Sequence, residues 1–292
     1  MKILLFGKNG QLGWEARRTL ASLGEVVALG SQDLDLTRLD ELAQIVRQVR
    51  PDVIFNAAAY TAVDKAESEP DLAMLINAKA PGVMAEEARK LNAVLIHYST
   101  DYVFDGKKGA PYIETDPTNP LNVYGQSKLA GEQVIGQVGG AYVILRTSWV
   151  YSLRGSGFVS KVLEWSRKQE TLRVVNDQVG SPTWARMLAE VSSAMLARGG
   201  IDLYSYFVER CGVYHVGGIG GVSRFDFAQK ILRLDPFSQE QIIKHLQPAL
   251  TIDFPAPAQR PLVTLLDSSL FGMKFDLRLP NWDESLVMAM EK

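Results

Sequence analysis

Apolar and polar positions follow two alternating periods over the first half of the chain. Ile3 to Phe6 is a continuous apolar run, the pattern of a strand buried on both faces. Glycines interrupt it, and a helical stretch follows from about Leu12 to Leu23. Val26 to Leu29 reads as a second strand. Leu39, Leu42, Ile45, Val46 and Val49 recur on one helical face, and Pro51 closes that helix. Val53 to Phe55 makes a third strand, and Ala73 to Leu91 a long helix with an irregularity near Pro81. Val94 to Tyr98 is a fourth strand, Leu129 to Ile135 lies in another helix, and Tyr142 to Leu145 is a fifth strand. This alternation predicts an α/β fold: a Rossmann-type, doubly wound parallel sheet with right-handed crossovers.

The pattern loosens after about residue 150. Helices are expected over Val159 to Arg167 and Thr183 to Leu196, with a short strand at Leu172 to Val175 between them. Prolines then accumulate at Pro236, Pro248, Pro255, Pro257, Pro261 and Pro280. Residues 1–150 therefore read as an NAD(P)-binding domain, with some later segments interleaved. Residues 151–292 read mainly as a smaller, irregular α/β substrate-binding lobe. A ligand is expected at the carboxyl ends of the strands, in the crevice between the two.

Gly7-Lys8-Asn9-Gly10-Gln11-Leu12-Gly13 follows the first strand and opens the first helix. Glycines there give a tight turn and let the backbone approach a pyrophosphate, and the helix N-terminus adds free N–H groups and partial positive charge. A glycine trio alone also suits a bare strand-to-helix turn; the position after a buried strand and before an amphipathic helix favours the dinucleotide reading. No carboxylate stands at Leu29-Gly30-Ser31, where NAD-binding chains usually place one for the ribose, so nothing there repels a 2′-phosphate. NADPH is favoured, NADH use stays open, and Lys8 and Ser31 are the nearest candidates for that phosphate. Asp35 and Leu36 flank the adenine on one reading; Asp35 is a helix N-cap on the other.

Tyr124 and Lys128 form a Tyr-x-x-x-Lys sequence, which puts both side chains on one helical face. A nearby ammonium would lower the phenol toward a working range, so Tyr124 becomes a candidate proton donor. Alone, the spacing equally fits a surface helix with a snorkelling lysine. Two other strand ends join it: Ser99-Thr100 after the fourth strand, and Asn56-Ala57-Ala58-Ala59 after the third, where small side chains admit a flat nicotinamide ribose.

With 47% hydrophobic and 22% charged residues and a net charge of −2, composition is that of a soluble enzyme, without the basic excess of a nucleic-acid binder. The apolar start is too short for a signal peptide and no run spans a bilayer, so a cytoplasmic protein without a membrane partner is expected. The single cysteine, Cys211, forms no intramolecular disulfide and reads as a small residue beside a strand. His97, His215 and His245 show no ligand spacing, and His97 reads as a hydrogen-bonded core residue. Of the five tryptophans only Trp149, after a strand, reads as a ligand contact.

These motifs resemble the extended short-chain dehydrogenase/reductase superfamily, and within it the family of dTDP-4-dehydrorhamnose reductases. The resemblance rests on Gly7–Gly13, Asn56–Glu67, Ser99–Phe104, Tyr124–Lys128, Arg146–Tyr151, Asn176-Asp177-Gln178 with Gly180, Pro182 and Thr183, and Arg260-Pro261. It implies hydride transfer from NADPH or NADH to C4 of a dTDP-linked 4-keto-6-deoxy sugar, on the way to surface polysaccharide. Tyr124 would donate the proton, Lys128 would tune it and grip the ribose, and Thr100 would hydrogen-bond the sugar oxygen. Gly7, Asn9, Gly10, Gln11, Leu12, Gly13, Ser31, Asp35, Leu36, Ala57, Ala58, Ala59 and Ser99 would hold the cofactor with Tyr124 and Lys128. Asp101, Val103, Phe104 and Trp149 would contact the substrate, and Arg260 its phosphate, although a salt bridge fits Arg260 nearly as well. Some members dimerise through a metal held by glutamates. Glu15 matches one ligand, but Arg186 stands at the second position and would repel a cation, so no metal and a monomer or weak homodimer are expected. Two rival functions are a nucleotide-sugar 4,6-dehydratase or epimerase and a non-catalytic regulatory subunit. Dehydratases carry Asp-Glu after the active-site threonine where this chain has Asp101-Tyr102.

Overall fold

The computed structural model describes residues 1–291. Strands β1 (Lys2–Phe6), β2 (Glu25–Leu29), β3 (Val53–Asn56), β4 (Val94–Thr100) and β5 (Tyr142–Thr147) lie in one parallel sheet. A sixth strand, Gly212–His215, pairs with β5 and completes the order sixth–β5–β4–β3–β1–β2. The alternation of side chains divides each strand between two cores. Ile3, Leu5, Phe55 and Ile96 pack on one face with α1 (Gln11–Thr19) and the helix Ala185–Ala197. Leu4, Phe6, Ile54 and Leu95 pack on the other with α2 (Leu39–Val49) and the helix Ala80–Leu91. Both faces are covered, which is why the strands read as unbroken apolar runs.

Later segments interleave with the first half, as expected from the sequence. Besides the sixth strand, the helices Leu203–Val208 and Ser269–Phe275 bury Phe207, Phe271 and Phe275 against the sheet. The rest of the second half forms its own core. There Val159, Val162, Phe227, Ile231 and Leu286 come together from the helices Phe158–Ser166, Arg224–Leu234 and Trp282–Met290. The strand Thr171–Val175 pairs with His245–Ala249, outside the main sheet.

The long helix expected over 73–91 is three pieces: Pro70–Met74, a π-helical turn Leu75–Lys79, and Ala80–Leu91. Pro81 sits at the start of the last piece, which runs on from the π-turn, and its missing N–H cannot serve the carbonyls of that preceding turn, so the irregularity lies before it. The π-turn carries Asn77, fully buried, which bonds the Tyr60 backbone twice and the Ser127 hydroxyl. It thereby ties the loop after β3 to the helix Val123–Val138. That helix is anchored again by Glu132, whose carboxylate takes two hydrogen bonds from Arg146 of β5, at 2.9 and 2.7 Å. Among the described residues no helix is long and apolar enough to cross a membrane.

Glu87 supplies a pH test of the fold. Its buried carboxylate sits between Arg47 (2.6 Å) and Lys90 (2.7 Å). Those partners, the Arg47 hydrogen bond first, hold it down at about 2. A folded pKa below the unfolded one stabilises above the unfolded value and loses that stabilisation as pH falls toward the folded one. The Glu87 contribution therefore fades between about 4.5 and about 2. Glu87→Gln is expected to narrow the difference between urea midpoints measured at neutral and at strongly acidic pH; an unchanged difference would refute it.

Candidate active site

The carboxyl ends of β1 through β5 open into one cavity of about 890 Å³. Its floor is the turn from β1 into α1. Gly7 adopts φ +86°, and a Cβ there would lie 2.8 Å from the Ala57 carbonyl carbon. Gly13 is not on the wall, but a methyl group on it would collide with the Gly7 carbonyl. The helix start thus reaches the cavity only because both positions lack side chains. Gly10, with extended backbone at the helix N-cap, makes no side-chain cap, so the first N–H groups of α1 face the cavity uncapped.

Gly7, Asn9, Gly10, Gln11, Leu12, Ser31, Asp35, Leu36, Ala57, Ala58, Ala59 and Ser99 all line the wall, as does Ile76 from the π-turn. The Asp35 carboxylate accepts from the Thr37 N–H in a local turn and does not cap α2, whose N-cap is Arg38. Lys8 forms an ion pair with Asp33 at 2.6 Å, and Asp33 also accepts from the Gly30 N–H. That leaves Ser31 as the one of the two phosphate candidates on the wall.

Thr100, Asp101, Tyr124, Lys128 and Trp149 line the opposite part. Burial pushes the Tyr124 phenol above its ordinary value, and a hydrogen bond with Thr100 draws it partly back. This corrects the expectation that Lys128 lowers Tyr124. The Lys128 amino group is turned to β4, 2.6 Å from the Tyr98 carbonyl oxygen and 3.2 Å from His97 Nε2. Burial pushes Lys128 itself down to about 8, against the pull of Glu132. Asp101 is buried and accepts from Thr264 (2.5 Å), Ser148 (2.9 Å) and Thr100 (3.1 Å). Burial raises its pKa, and those hydroxyls oppose the rise.

Trp149 adopts φ 45°, a conformation a bulky residue holds only when its surroundings impose it. Its ring lies against Gly180, where a Cβ would come within 2.5 Å, and the Arg224 guanidinium stacks 3.5 Å from the ring centroid. Arg224 escaped the sequence reading. It forms no ion pair among the described residues, and burial pushes it down to about 10. A cation in the first turn of its helix opposes the helix dipole, and that mismatch was the available signal.

Three expected contacts lie elsewhere. Val103 and Phe104 are fully buried, Phe104 stacking on Tyr112, so their side chains are not on the wall. Arg260 faces a neighbouring hollow of about 720 Å³ and makes a bidentate pair with Asp64, at 3.0 and 2.7 Å. Glu15 is faced by Arg186, Arg18 and Arg154 and by the carboxylate Glu190, which Arg186 pairs at 2.9 Å. Cys211 is exposed, next to the sixth strand.

Polar atoms on the cavity wall lack partners. Gln11 Oε1, Ser99 Oγ and Thr147 Oγ1 are buried there without a hydrogen bond. Such groups cost about 1–3 kcal/mol each unless a ligand satisfies them. With the uncapped helix start, they fit a large polar ligand carrying a phosphate.

The family model described as RmlD substrate binding domain matches residues 1–292. The chain is 42% identical to the dTDP-4-dehydrorhamnose reductase of Burkholderia thailandensis, over 97% of this chain and 95% of that one. Its structure is similar to that of a dTDP-4-dehydrorhamnose reductase from Clostridium acetobutylicum, with a TM-score of 0.90, 36% identity and coverage of 99% and 98% of the two chains. It is also similar to the Bacillus anthracis dTDP-4-dehydrorhamnose reductase in complex with NADP, with a TM-score of 0.87, 34% identity and coverage of 98% and 96%.

Replacing Gly13 by alanine forces the helix start away from the turn. Dinucleotide affinity is expected to fall by at least about tenfold in a fluorescence titration, with the circular-dichroism spectrum retained. An unchanged affinity would remove the turn from the phosphate site.

Proposed function

The chain belongs to the family of dTDP-4-dehydrorhamnose reductases, and from that premise we propose that it reduces dTDP-4-dehydro-β-L-rhamnose to dTDP-L-rhamnose with NADPH. The observation that carries this reading is the convergence of the glycine turn, Thr100, Tyr124 and Lys128 on one cavity at the strand ends. NADPH, when bound, supplies the hydride. Gly10, Gln11 and Leu12 would hold its diphosphate at the helix start, Ser31 its 2′-phosphate, and Ala57–Ala59 and Lys128 its nicotinamide ribose.

Reduction of a carbonyl needs a proton for the developing alkoxide. Tyr124 is protonated at neutral pH, because burial raises it, so it is loaded as a donor before substrate arrives. Thr100 donates its one hydroxyl proton to Asp101 in the free enzyme; with substrate bound, that proton would turn to the sugar oxygen while the Thr100 oxygen accepts from the phenol. Asp101 and Trp149 bound the sugar pocket. Val103 and Phe104 support it from beneath by packing with Tyr112. Arg224 and Arg260 lie near enough to repel each other, so a diphosphate between them would relieve that repulsion as well as the burial of Arg224. Residues 1–150 mainly bind the cofactor and residues 151–292 the sugar nucleotide.

The same reading makes the protein a cytoplasmic monomer or weak homodimer without a nucleic-acid or membrane partner. It needs no metal, because the arginines around Glu15 already supply positive charge.

The test is a spectrophotometric assay of NADPH consumption with dTDP-4-dehydrorhamnose. Tyr124→Phe is expected to lower kcat by about 10²–10⁴-fold while NADPH binding persists; full turnover would remove Tyr124 from its role. Thr100→Val loses one hydrogen bond and should cost about tenfold. A protein that binds NADPH tightly and never consumes it would instead fit a regulatory subunit.

A further inference from the structure

Lys128 is held on two sides by β4, and the nature of one contact is dictated two residues away. The Ala58 N–H can only donate, and it points at Asn56 Oδ1, 3.1 Å away. Asn56 therefore turns its NH₂ group to His97 Nδ1, at 3.0 Å, and that ring nitrogen must accept. A neutral imidazole with Nδ1 bare carries its proton on Nε2. His97 then presents an N–H to Lys128 Nζ, 3.2 Å away, and an ammonium has no lone pair to receive it. Asn56 and His97 are 1% and 0% exposed and off the cavity wall, so bulk water does not reach their contacts, whereas Lys128, 2% exposed, meets the cavity.

We propose that His97 is a positioning residue: through the tautomer that Asn56 imposes, it holds Lys128 as a neutral amine in the cofactor-free enzyme, and Lys128 takes up one proton from solvent as the anionic dinucleotide binds. The proton goes to the Nζ lone pair, and no other bond changes. Once protonated, Nζ cannot accept from His97. It keeps the Tyr98 carbonyl and turns its remaining N–H groups toward the cavity, where Tyr124 stands. Binding and arming of the lysine thereby become one event. The inference rests on the reductase reading for its purpose, but not for its first test.

The charged and titratable groups around Lys128 fit. Glu132, one turn along the same helix, favours the ammonium but is committed to Arg146. The Tyr98 phenol is turned away to Ser192. Burial alone is enough to keep His97 neutral. Burial takes Lys128 down to about 8, and an N–H donated by His97 lowers it further.

The first test is nitrogen NMR of the cofactor-free protein labelled with ¹⁵N-histidine; with only three histidines, a His97→Gln variant assigns the resonances. The expected result is a pH-insensitive His97 with Nδ1 bare and Nε2 protonated. Protonation on Nδ1, or a cationic ring, overturns the proposal. The second is calorimetric titration with NADPH at mildly alkaline pH in buffers of different ionisation enthalpy. Uptake of about one proton per site is expected, and no uptake overturns it. In Asn56→Asp the carboxylate accepts from both Ala58 N–H and His97 Nδ1–H, which reverses the tautomer. Lys128 then stays an ammonium and uptake should vanish; persistent uptake in this variant also overturns the proposal. Should that variant not fold, the two measurements on the unchanged protein still decide. NADPH binding with proton uptake but no sugar reduction would sink the enzymatic reading alone.

Discussion

A buried amine must find its hydrogen-bond partners inside the protein, and Lys128 finds them on a strand and not on its own helix. Its contacts to the Tyr98 carbonyl and the His97 ring fix the helix Val123–Val138 in register with β4. Since β4 ends in Ser99 and Thr100, the same register sets Tyr124 beside Thr100. Tyr124, Thr100 and Lys128 thus share one geometric origin. Losing that attachment would remove one of the contacts that hold this helix in register with the strand ends.

Two further attachments make that register stiff. Glu132 and Arg146 are each nearly inaccessible to solvent and bond through both oxygens, the geometry in which a buried ion pair offsets its desolvation. On the opposite side of the helix, Gly131 rests directly on the Asn77 carbonyl of the π-turn. π-turns interrupt the regular backbone ladder, and here the interruption aims Asn77 at both the loop after β3 and Ser127. The loop that carries Ala57–Ala59 and the helix that carries Tyr124 are therefore fastened to each other as well as to the sheet.

Much of this was legible in the sequence, and for identifiable reasons. Apolar runs at 3–6, 53–55 and 94–98 stand out because both sheet faces are covered. The glycine turn and the Tyr124/Lys128 pair stand out because their chemistry depends on short spacings. What stayed hidden depends on distant partners. Arg224 gains its meaning from Trp149 and Asp101, and Asp101 is held by Thr264, 163 positions away. Phe104 follows the site residues Thr100 and Asp101 in sequence, yet the 3₁₀ turn Asp101–Val103 and the stacking on Tyr112 carry it inward. His97 was rightly placed in the core. Its bearing on the lysine appears only when Ala58, Asn56 and Lys128 stand together.

The sixth strand has a consequence for the life of the chain. Among the described residues, Gly212–His215 is the one neighbour of β5 on its outer side, and it follows β5 by more than sixty positions in the chain. Until it docks, β5 offers a row of open backbone donors and acceptors of the kind that recruits other chains. The chain up to β5 already contains the glycine turn, Tyr124 and Lys128, with β5 at the edge of the sheet. The sheet's exposed edge thus passes from β5, six residues long, to the four-residue strand Gly212–His215 contributed by the second half of the chain, and a short edge strand offers fewer open donors and acceptors.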